Sequence, residues 1–184
     1  SSMSTARMDH TATLLPSGKI LVTGGYGVSG KLTSCEIYDP ITDTWSPTQN
    51  FPFGIDDHTA TLLHSGKVLI AGPGKDALLY DYIDGTWMSA SQTENLHRHN
   101  TATLLHSGKV LLAGDKSPNK TEIYDPASNT WTQGYDLIND RGYHTATLLE
   151  DGRVFLVGGN DPPLSETEFY DPDWRLDGTR PEIM

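Results

Sequence analysis

The stretch that decides the fold is HTATLLPSGKIL at residues 10–21, because the chain repeats it three more times. The other copies read HTATLLHSGKVL at 58–69, NTATLLHSGKVL at 100–111 and HTATLLEDGRVF at 144–155. A glycine, a loop of variable length and a Tyr-Asp pair follow each copy. The equivalent tyrosines are 42, 44 and 46 residues apart, at Tyr38, Tyr80, Tyr124 and Tyr170. A period of this length is typical of solenoids, propellers and other repeat arrays.

Each copy predicts four short antiparallel strands and no helix. In the first copy, Thr11 to Leu15 is rich in β-branched and apolar residues, and Ser17-Gly18 predicts a two-residue hairpin turn. The second strand, Lys19 to Thr23, contains a continuous apolar run, which predicts burial on both faces. A third strand covers Cys35 to Tyr38, and a fourth begins at Thr44-Trp45. A four-stranded unit at this period predicts a propeller blade.

These motifs together resemble the kelch repeat. The resemblance rests on HTATLL, on the glycine pairs Gly24-Gly25 and Gly158-Gly159, and on the later Tyr-Asp-Pro and Trp. It implies an all-β propeller, here of four kelch-like blades, in which the tyrosines and tryptophans pack between blades. The tryptophans with this structural role are Trp45, Trp87 and Trp131. The middle copies depart from the pattern, because Pro73 and Asp115 replace the second glycine.

We expect one propeller domain over residues 1–184, with blades at about 10–48, 58–90, 100–134 and 144–176. Both ends look incomplete as blades, since the strand that should precede the first connection is absent and the spacing after the last Tyr-Asp-Pro is altered. Three architectures remain open: a closed four-blade ring, half of a dimeric ring, or a fragment of a larger propeller. The second of these implies a homodimer that completes the propeller.

The composition argues against several classes of partner. The chain has 13 basic and 24 acidic residues, a formal net charge of -11, whereas nucleic acids and anionic membranes attract clustered basic residues. A single cysteine, Cys35, allows neither an intrachain disulfide nor a cysteine-based metal site. The acidic balance favours a basic or neutral protein partner, or a carbohydrate. An extracellular and a cytoplasmic location both fit the sequence.

Charged residues recur in step with the repeat. An arginine precedes three of the four copies, and a glutamate lies two residues before the tyrosine in the same three; the second copy has Ile55 and Leu78 instead. An unpaired charge in a half-buried place is costly, so the joint loss of both charges indicates that they pair. We therefore predict three structural bridges within blades: Arg7–Glu36, Arg98–Glu122 and Arg141–Glu168.

The residues at the start of each repeated phrase are the candidate binding site. They are Asp9-His10, Asp57-His58, His99-Asn100 and Tyr143-His144. Because the innermost strand of each blade begins there, we expect these residues to converge near one mouth of the central channel. His10, His58 and His144 could hold copper or zinc, for which imidazole is a suitable ligand. We favour the alternative, in which these histidines bond backbone groups of the neighbouring blade and no metal is bound.

The last repeat is also similar to the final blade of galactose oxidase-like copper radical oxidases. The similar stretches are RGYH at 141–144, LLEDGRVFLVGG at 148–159, EFY at 168–170 and TRPEI at 179–183. This resemblance implies an axial base position for Tyr143 and a copper-ligand position for His144, and it favours an extracellular location. Asp9, Asp57 and His99 occupy the corresponding places of the other blades, and none is the tyrosine that the radical enzyme needs. Copper is therefore expected only under this alternative, and no other cofactor is expected.

From the sequence we predict a non-catalytic binding module, with protein–protein interaction through loops on a rigid scaffold as its role. A fragment of a copper radical oxidase and a carbohydrate-binding propeller are the alternatives. The loops expected around the channel mouth are segments 50–57, 91–99 and 135–143.

Overall fold

The computed structural model describes residues 1–114, 119–159 and 163–173, and all regular secondary structure in them is β-strand. The first blade contains β1 (Thr11–Leu14), β2 (Ile20–Thr23), the short hairpin β3 (Tyr26–Gly27) and β4 (Gly30–Lys31), β5 (Cys35–Asp39) and β6 (Thr44–Thr48). The second contains β7 (Thr59–Leu62), β8 (Val68–Ala71), β9 (Leu78–Asp81) and β10 (Thr86–Ser89). The third contains β11 (Thr101–Leu104), β12 (Val110–Ala113), β13 (Thr121–Asp125) and β14 (Thr130–Gln133). The fourth contains β15 (Thr145–Leu148), β16 (Val154–Val157) and β17 (Thr167–Tyr170).

The four sheets are antiparallel meanders in the order β1-β2-β5-β6, β7-β8-β9-β10, β11-β12-β13-β14 and β15-β16-β17. The prediction of an all-β fold with four-stranded blades is confirmed for the first three blades. The end of the fourth predicted blade, residues 174–176, lies outside the described residues. The hairpin β3-β4 was not predicted, and it pairs with the segment before β1 through Met8 and Tyr26.

The turn between the first two strands of each blade differs from the prediction. Leu15 N–H donates to the Lys19 carbonyl at 2.8 Å and Gly18 N–H donates to the Leu15 carbonyl at 2.9 Å, so three residues form the loop. Gly18 is left-handed, with φ 79°, as is usual for the last residue of a three-residue hairpin loop, whereas the prediction was a two-residue loop. The predicted turn is therefore wrong, although its glycine is needed, and the other three blades repeat the observed geometry.

The hydrophobic core lies between the blades, in three separate clusters. β8 shows why the second strand is apolar throughout. Val68 and Ile70 pack into the cluster shared with the first blade, whereas Leu69 and Ala71 pack into the cluster shared with the third. Successive side chains of a strand point to opposite faces, so a blade with two neighbours buries both. The third cluster joins the third and fourth blades in the same way.

The repeated tyrosine and tryptophan pack against each other on adjacent strands, with ring centroids 4.7–5.0 Å apart in the first three blades. Two of the tryptophans also bond to the start of the connection that follows the preceding blade. Trp87 Nε1 donates to the Gln49 carbonyl at 2.8 Å, and Trp131 Nε1 donates to the Ser91 carbonyl at 2.9 Å. The expectation that these residues pack between blades is confirmed for Trp87 and Trp131.

The first strands of consecutive blades, β1, β7, β11 and β15, are neighbours in that order and form the inner side of the array. All four begin at the same end of the blades, which we call the mouth face; the turns between the first two strands lie at the opposite end. Closure of the blades into a ring is not detected among the described residues. In the same residues no helix is long and apolar enough to span a membrane.

Candidate functional site

Each segment leading to an inner strand is held by a buried polar anchor. In the first blade, Arg7 Nη2 lies 2.7 Å from Glu36 Oε1, and both side chains are almost completely buried. Arg7 Nη1 also donates to the Gly24 carbonyl at 2.7 Å, and Glu36 accepts a hydrogen bond from the Ser4 N–H at 2.8 Å. Burial opposes ionisation of Glu36, but the hydrogen bonds from Ser4 and Arg7 outweigh it and lower the pKa of this carboxyl.

The fourth blade repeats this arrangement. Arg141 Nη2 lies 3.5 Å from Glu168 Oε2, and Arg141 Nη1 donates to the Gly158 carbonyl at 2.8 Å. Glu168 Oε1 accepts a hydrogen bond from the Ile138 N–H at 2.7 Å. The predicted bridges Arg7–Glu36 and Arg141–Glu168 are thus confirmed, including their pairing within one blade.

The predicted Arg98–Glu122 bridge is wrong, because His97 takes the place of the arginine. His97 Nε2 lies 2.6 Å from Glu122 Oε2, His97 Nδ1 lies 3.2 Å from the Gly114 carbonyl, and both members of the pair are fully buried. A carbonyl and a carboxylate only accept hydrogen bonds, so both ring nitrogens of His97 face acceptors, as the Arg7 guanidinium does in the first blade. The spacing could have revealed this: the anchor lies three residues before the repeated phrase, a position occupied by His97 and not by Arg98.

Glu122 also accepts backbone hydrogen bonds, from Glu94 N–H at 2.7 Å and Asn95 N–H at 3.1 Å. Burial alone would raise the pKa of Glu122, but the hydrogen bonds from His97 and from these N–H groups lower it below its usual value. The glutamate of each charged blade therefore accepts from the backbone N–H three residues before the base. Glu36 and Glu122 are also hydrogen-bonded to the base itself, whereas Arg141 and Glu168 form an ion pair without a hydrogen bond between Nη2 and Oε2.

The second blade replaces the whole anchor with apolar groups. Ile55 and Leu78 belong to one buried cluster, as the loss of both charges predicted. The residue three before Ile55 is Pro52, which has no N–H to donate. The base, the carboxylate and the backbone donor are thus all absent from this blade.

The histidines of the repeated phrase lie in the seams between inner strands. His58 Nε2 is 3.0 Å from Thr11 Oγ1 and 2.9 Å from Thr23 Oγ1 in the preceding blade. His144 Nε2 is 2.9 Å from Thr101 Oγ1, also in the preceding blade. The favoured interpretation was correct about the neighbouring blade, but the partners are threonine hydroxyls and not backbone groups. Burial lowers the pKa of both histidines to about 4.

The equivalent residues of the first and third blades, His10 and Asn100, differ from His58 and His144. His10, in the first blade, is exposed. Asn100 replaces the histidine in the third blade, and its side-chain oxygen and nitrogen are buried without a hydrogen-bond partner among the described residues. The seam between the second and third blades therefore lacks the histidine–threonine bond that the seams on either side of it have.

The residues one position earlier form a row along the mouth face. Asp9, Asp57, His99 and Tyr143 all have a left-handed backbone, with φ between 50° and 57°. Asp57 N–H donates to the Asp9 carbonyl at 3.2 Å, and Tyr143 N–H donates to the His99 carbonyl at 2.9 Å. A left-handed conformation is uncommon outside glycine, although aspartate and histidine adopt it more readily than most residues. Such backbone conformations are concentrated at functional sites. The sequence identified these residues but did not predict their backbone.

At one end of this mouth row two rings are stacked. The rings of His99 and Tyr143 are 3.9 Å apart and nearly parallel, and Tyr143 Oη lies 2.9 Å from His99 Nε2. Tyr143 is still 61% exposed. His99 Nδ1 lies 3.9 Å from Asp57 Oδ2, so the Asp57 carboxylate lies next to the His99 ring of this stack.

A pocket of about 180 Å³ opens beside the mouth row. Its lining consists of Lys31, Asp56, Asp57, Pro73, Arg98 and His99. A second and separate pocket, of about 210 Å³, shares Lys31 and Pro73 with it.

The residues proposed for copper do not fit a copper site. The Nε2 atoms of His58 and His144 face threonines of different blades, and His10 is exposed. Cys35 is buried, and burial raises the pKa of its thiol to about 11. Across the described part of the chain, no group of three or more His, Cys, Asp or Glu side chains could hold a metal ion.

Comparisons with known proteins agree with this architecture. The family model described as Kelch motif matches residues 10–52, that is, the first blade and the start of the next connection. Among solved structures, that of YjhT is similar, with a TM-score of 0.71 and 17% sequence identity over 83% of this chain. This chain spans 59% of the YjhT chain, and at such identity the likeness shows the fold alone. No curated protein matches this chain. With the repeat geometry described above, these findings support a kelch-repeat β-propeller architecture for the chain.

Proposed function

We propose that this protein is a non-catalytic binding module that recognises a protein partner with its mouth face. The observation that carries the proposal is the mouth row: four equivalent side chains hold the same unfavourable backbone conformation and all face one end of the blades. A kelch propeller supports a binding role in general. Strain of this kind persists only where the surroundings enforce it, and the buried anchors and seams directly beside the row provide such surroundings.

The surface has the composition of a protein-binding site. Tyrosine is enriched where proteins bind each other, and the His99–Tyr143 stack holds its ring in one place before any partner arrives. The net charge of -11 favours a partner that is basic or neutral overall. Nucleic acid, membrane surfaces and cofactors have no part in this proposal.

The experiment begins by capturing partners on the immobilised protein and purifying the candidate that binds. Its affinity is then measured by calorimetry for Tyr143→Ala and for His99→Ala. The controls are Ile41→Ala and Ile83→Ala, because these residues are 91% and 78% exposed at the end opposite the mouth. We expect the mouth variants to lose at least about tenfold in affinity, or 1.4 kcal/mol, and the controls to bind like the wild type. Equal losses at both ends would refute the mouth as the site.

Carbohydrate binding is a second candidate, favoured by the exposed flat ring of Tyr143 beside the Asp57 carboxylate. An exposed ring can pack on the apolar face of a sugar, and a carboxylate can accept from its hydroxyl groups. A glycan array tests this directly. Binding that disappears in Tyr143→Ala would favour the carbohydrate, and an array without signal would eliminate it.

We also propose that the outward face of the fourth blade associates with a second copy of the chain. Val157 is 38% exposed and Phe169 is 50% exposed, whereas the residues equivalent to Val157 in the other blades, Thr23, Ala71 and Ala113, are buried. Blades in this fold cover such faces by packing on one another, and another blade of the same kind is the matching surface. Light scattering should show a dimer for the wild type and the 20.1 kDa monomer for Phe169→Ser. A wild-type monomer would contradict the proposal.

A further inference from the structure

The third blade contains an arginine that its anchor does not use. In the first and fourth blades, Arg7 and Arg141 are buried and paired with the glutamate of their own blade. In the third blade His97 forms this pair, so Arg98 is not needed for it. Arg98 occupies a position held in the other blades by Met8, Asp56 and Gly142, and it is therefore the one cation at that position of the repeat.

Arg98 is exposed and lines the pocket of about 180 Å³ beside the mouth row. Two of the other charges there are paired, since Lys31 Nζ lies 2.6 Å from Asp56 Oδ1. Asp57 Oδ2 lies 3.9 Å from His99 Nδ1. Arg98 forms no ion pair and no side-chain hydrogen bond with the described part of the chain. A positive charge without a protein partner therefore faces a recess in the proposed binding surface.

We propose that Arg98 binds a carboxylate group of the ligand in this pocket. The planar guanidinium donates two parallel hydrogen bonds to a carboxylate, a geometry that lysine does not offer. The pocket volume is below the 300–1,000 Å³ typical of small-molecule sites, so it suits a single side chain better than a large ligand. Asp57, on the same lining, accepts an N–H of the ligand next to the carboxylate.

The inference rests on the proposed function and adds a recognition element to it. A partner that is basic or neutral overall supplies the carboxylate from one acidic side chain. Because Lys31 and Asp56 pair with each other, Arg98 is the cation of this lining that is left to bind the carboxylate. A small carboxylic acid offers the same group, and the test separates the two sources.

The test is an NMR titration of the ¹⁵N-labelled protein with acetyl-Gly-Glu-Gly-amide, acetyl-Gly-Gln-Gly-amide and acetate. We expect the glutamate peptide to shift the side-chain Nε–H signal of Arg98 and the backbone signals of Asp57 and His99 in a saturable way. The glutamine peptide should leave them in place. If acetate shifts these signals with an affinity equal to that of the glutamate peptide, a small acid is the source of the carboxylate; tighter binding of the peptide identifies a protein side chain.

Arg98→Gln should weaken binding of the glutamate peptide by at least about tenfold. Lys75→Gln is the matched control, since Lys75 is also exposed and forms no ion pair among the described residues but does not line the pocket. Equal responses to the two peptides, or unchanged binding by Arg98→Gln, would overturn the inference. If Arg98→Gln binds a purified partner normally while Tyr143→Ala does not, the proposed function stands and the role of Arg98 is refuted.

Discussion

Residues 49–58 connect the first and second blades, and residues 91–100 connect the second and third, at equivalent places in the repeat. The first connection is anchored by Ile55 in a hydrophobic cluster that includes Leu78. The second is anchored by a fully buried pair of His97 and Glu122. The last residues of the two connections also differ. His58 Nε2 bonds to the preceding blade, whereas the Asn100 side chain has no hydrogen-bond partner among the described residues.

The comparison shows that the base, the carboxylate and the backbone N–H donor of the polar anchor are replaced together. A buried glutamate needs the base and the backbone N–H together, because a single missing partner leaves a buried charge or donor unsatisfied. The first connection has neither base nor carboxylate, and Pro52 removes the N–H that would have had no acceptor. Intermediate combinations should therefore be less stable than either complete anchor.

The largest expected effect comes from removing only one member of the polar anchor, the glutamate. Glu122→Leu leaves the His97 ring and the Glu94 and Asn95 N–H groups without their acceptor. We expect the free energy of unfolding at pH 7, measured by urea denaturation, to fall by about 3–5 kcal/mol. Glu150→Leu is the control, since Glu150 is exposed at a turn, and it should change stability by less than about 0.5 kcal/mol. A loss below about 1 kcal/mol for Glu122→Leu would show that the groups bonded to Glu122 do not need it for stability.

The next effect concerns acid stability and the seam histidines. Burial lowers the pKa of His58 and His144 to about 4, whereas an unfolded histidine has a pKa of about 6.5. The unfolded chain therefore binds these protons first, and stability is complete above pH 6.5 and falls as the pH is lowered toward 4. Each histidine should lower the free energy of unfolding by about 3 kcal/mol once the pH is well below 4, and by about 2 kcal/mol at pH 5.

The variants that test this prediction replace each seam histidine with asparagine, the residue that the third blade has at the equivalent position, Asn100. His144→Asn and His58→Asn should each reduce the loss of unfolding free energy between pH 7 and pH 5 by about 2 kcal/mol, because asparagine does not titrate. His106→Asn is the control, since His106 is exposed at a turn. If the wild type and His144→Asn lose the same stability over this range, the seam histidine is not responsible.

A smaller effect is expected when the apolar anchor is transferred completely. The triple variant Glu94→Pro, His97→Ile and Glu122→Leu gives the second connection the residues of the first. Replacing a buried ion pair with packed apolar groups is often neutral, so we expect the unfolding free energy to lie within about 1 kcal/mol of the wild type. Recovery from the Glu122→Leu loss is the decisive comparison. A triple variant as unstable as the single variant would mean that the two anchors are not interchangeable.

The repeated phrase was sufficient to predict the blades, because the strand pattern and the period recur four times and local errors do not alter them. The predicted Arg98–Glu122 bridge is wrong by a register shift of one residue. Arg7 and Arg141 both lie three residues before their phrases, and the residue at that spacing in the third blade is His97. A histidine can take the place of an arginine there because its ring can also present N–H groups to the carboxylate and the carbonyl.

The candidate site was predictable in position but not in geometry. The sequence placed Asp57 and His58 together, yet the structure directs Asp57 to the mouth and His58 into a seam. The backbone at Asp57 is left-handed, as it is at the equivalent Asp9, His99 and Tyr143. Aspartate and histidine favour this conformation more than most residues, but tyrosine does not, so the residue types alone did not predict it. The threonine partners of the seam histidines lie on another blade, so no local pattern connects them.

The smallest effect should come from supplying the missing seam bond at Asn100. Asn100→His places an imidazole where His58 and His144 already fit, and Thr59 is the equivalent of the threonines that they contact. Because a buried unpaired amide is exchanged for one hydrogen bond, we expect a gain of about 0.5–1 kcal/mol in unfolding free energy at pH 7. Thr59→Val should abolish this gain, and the gain should itself decrease as the pH falls from 7 to 5, as at the other seams. If Asn100→His is destabilising at pH 7, the seam between the second and third blades differs in shape as well as in its hydrogen bonds.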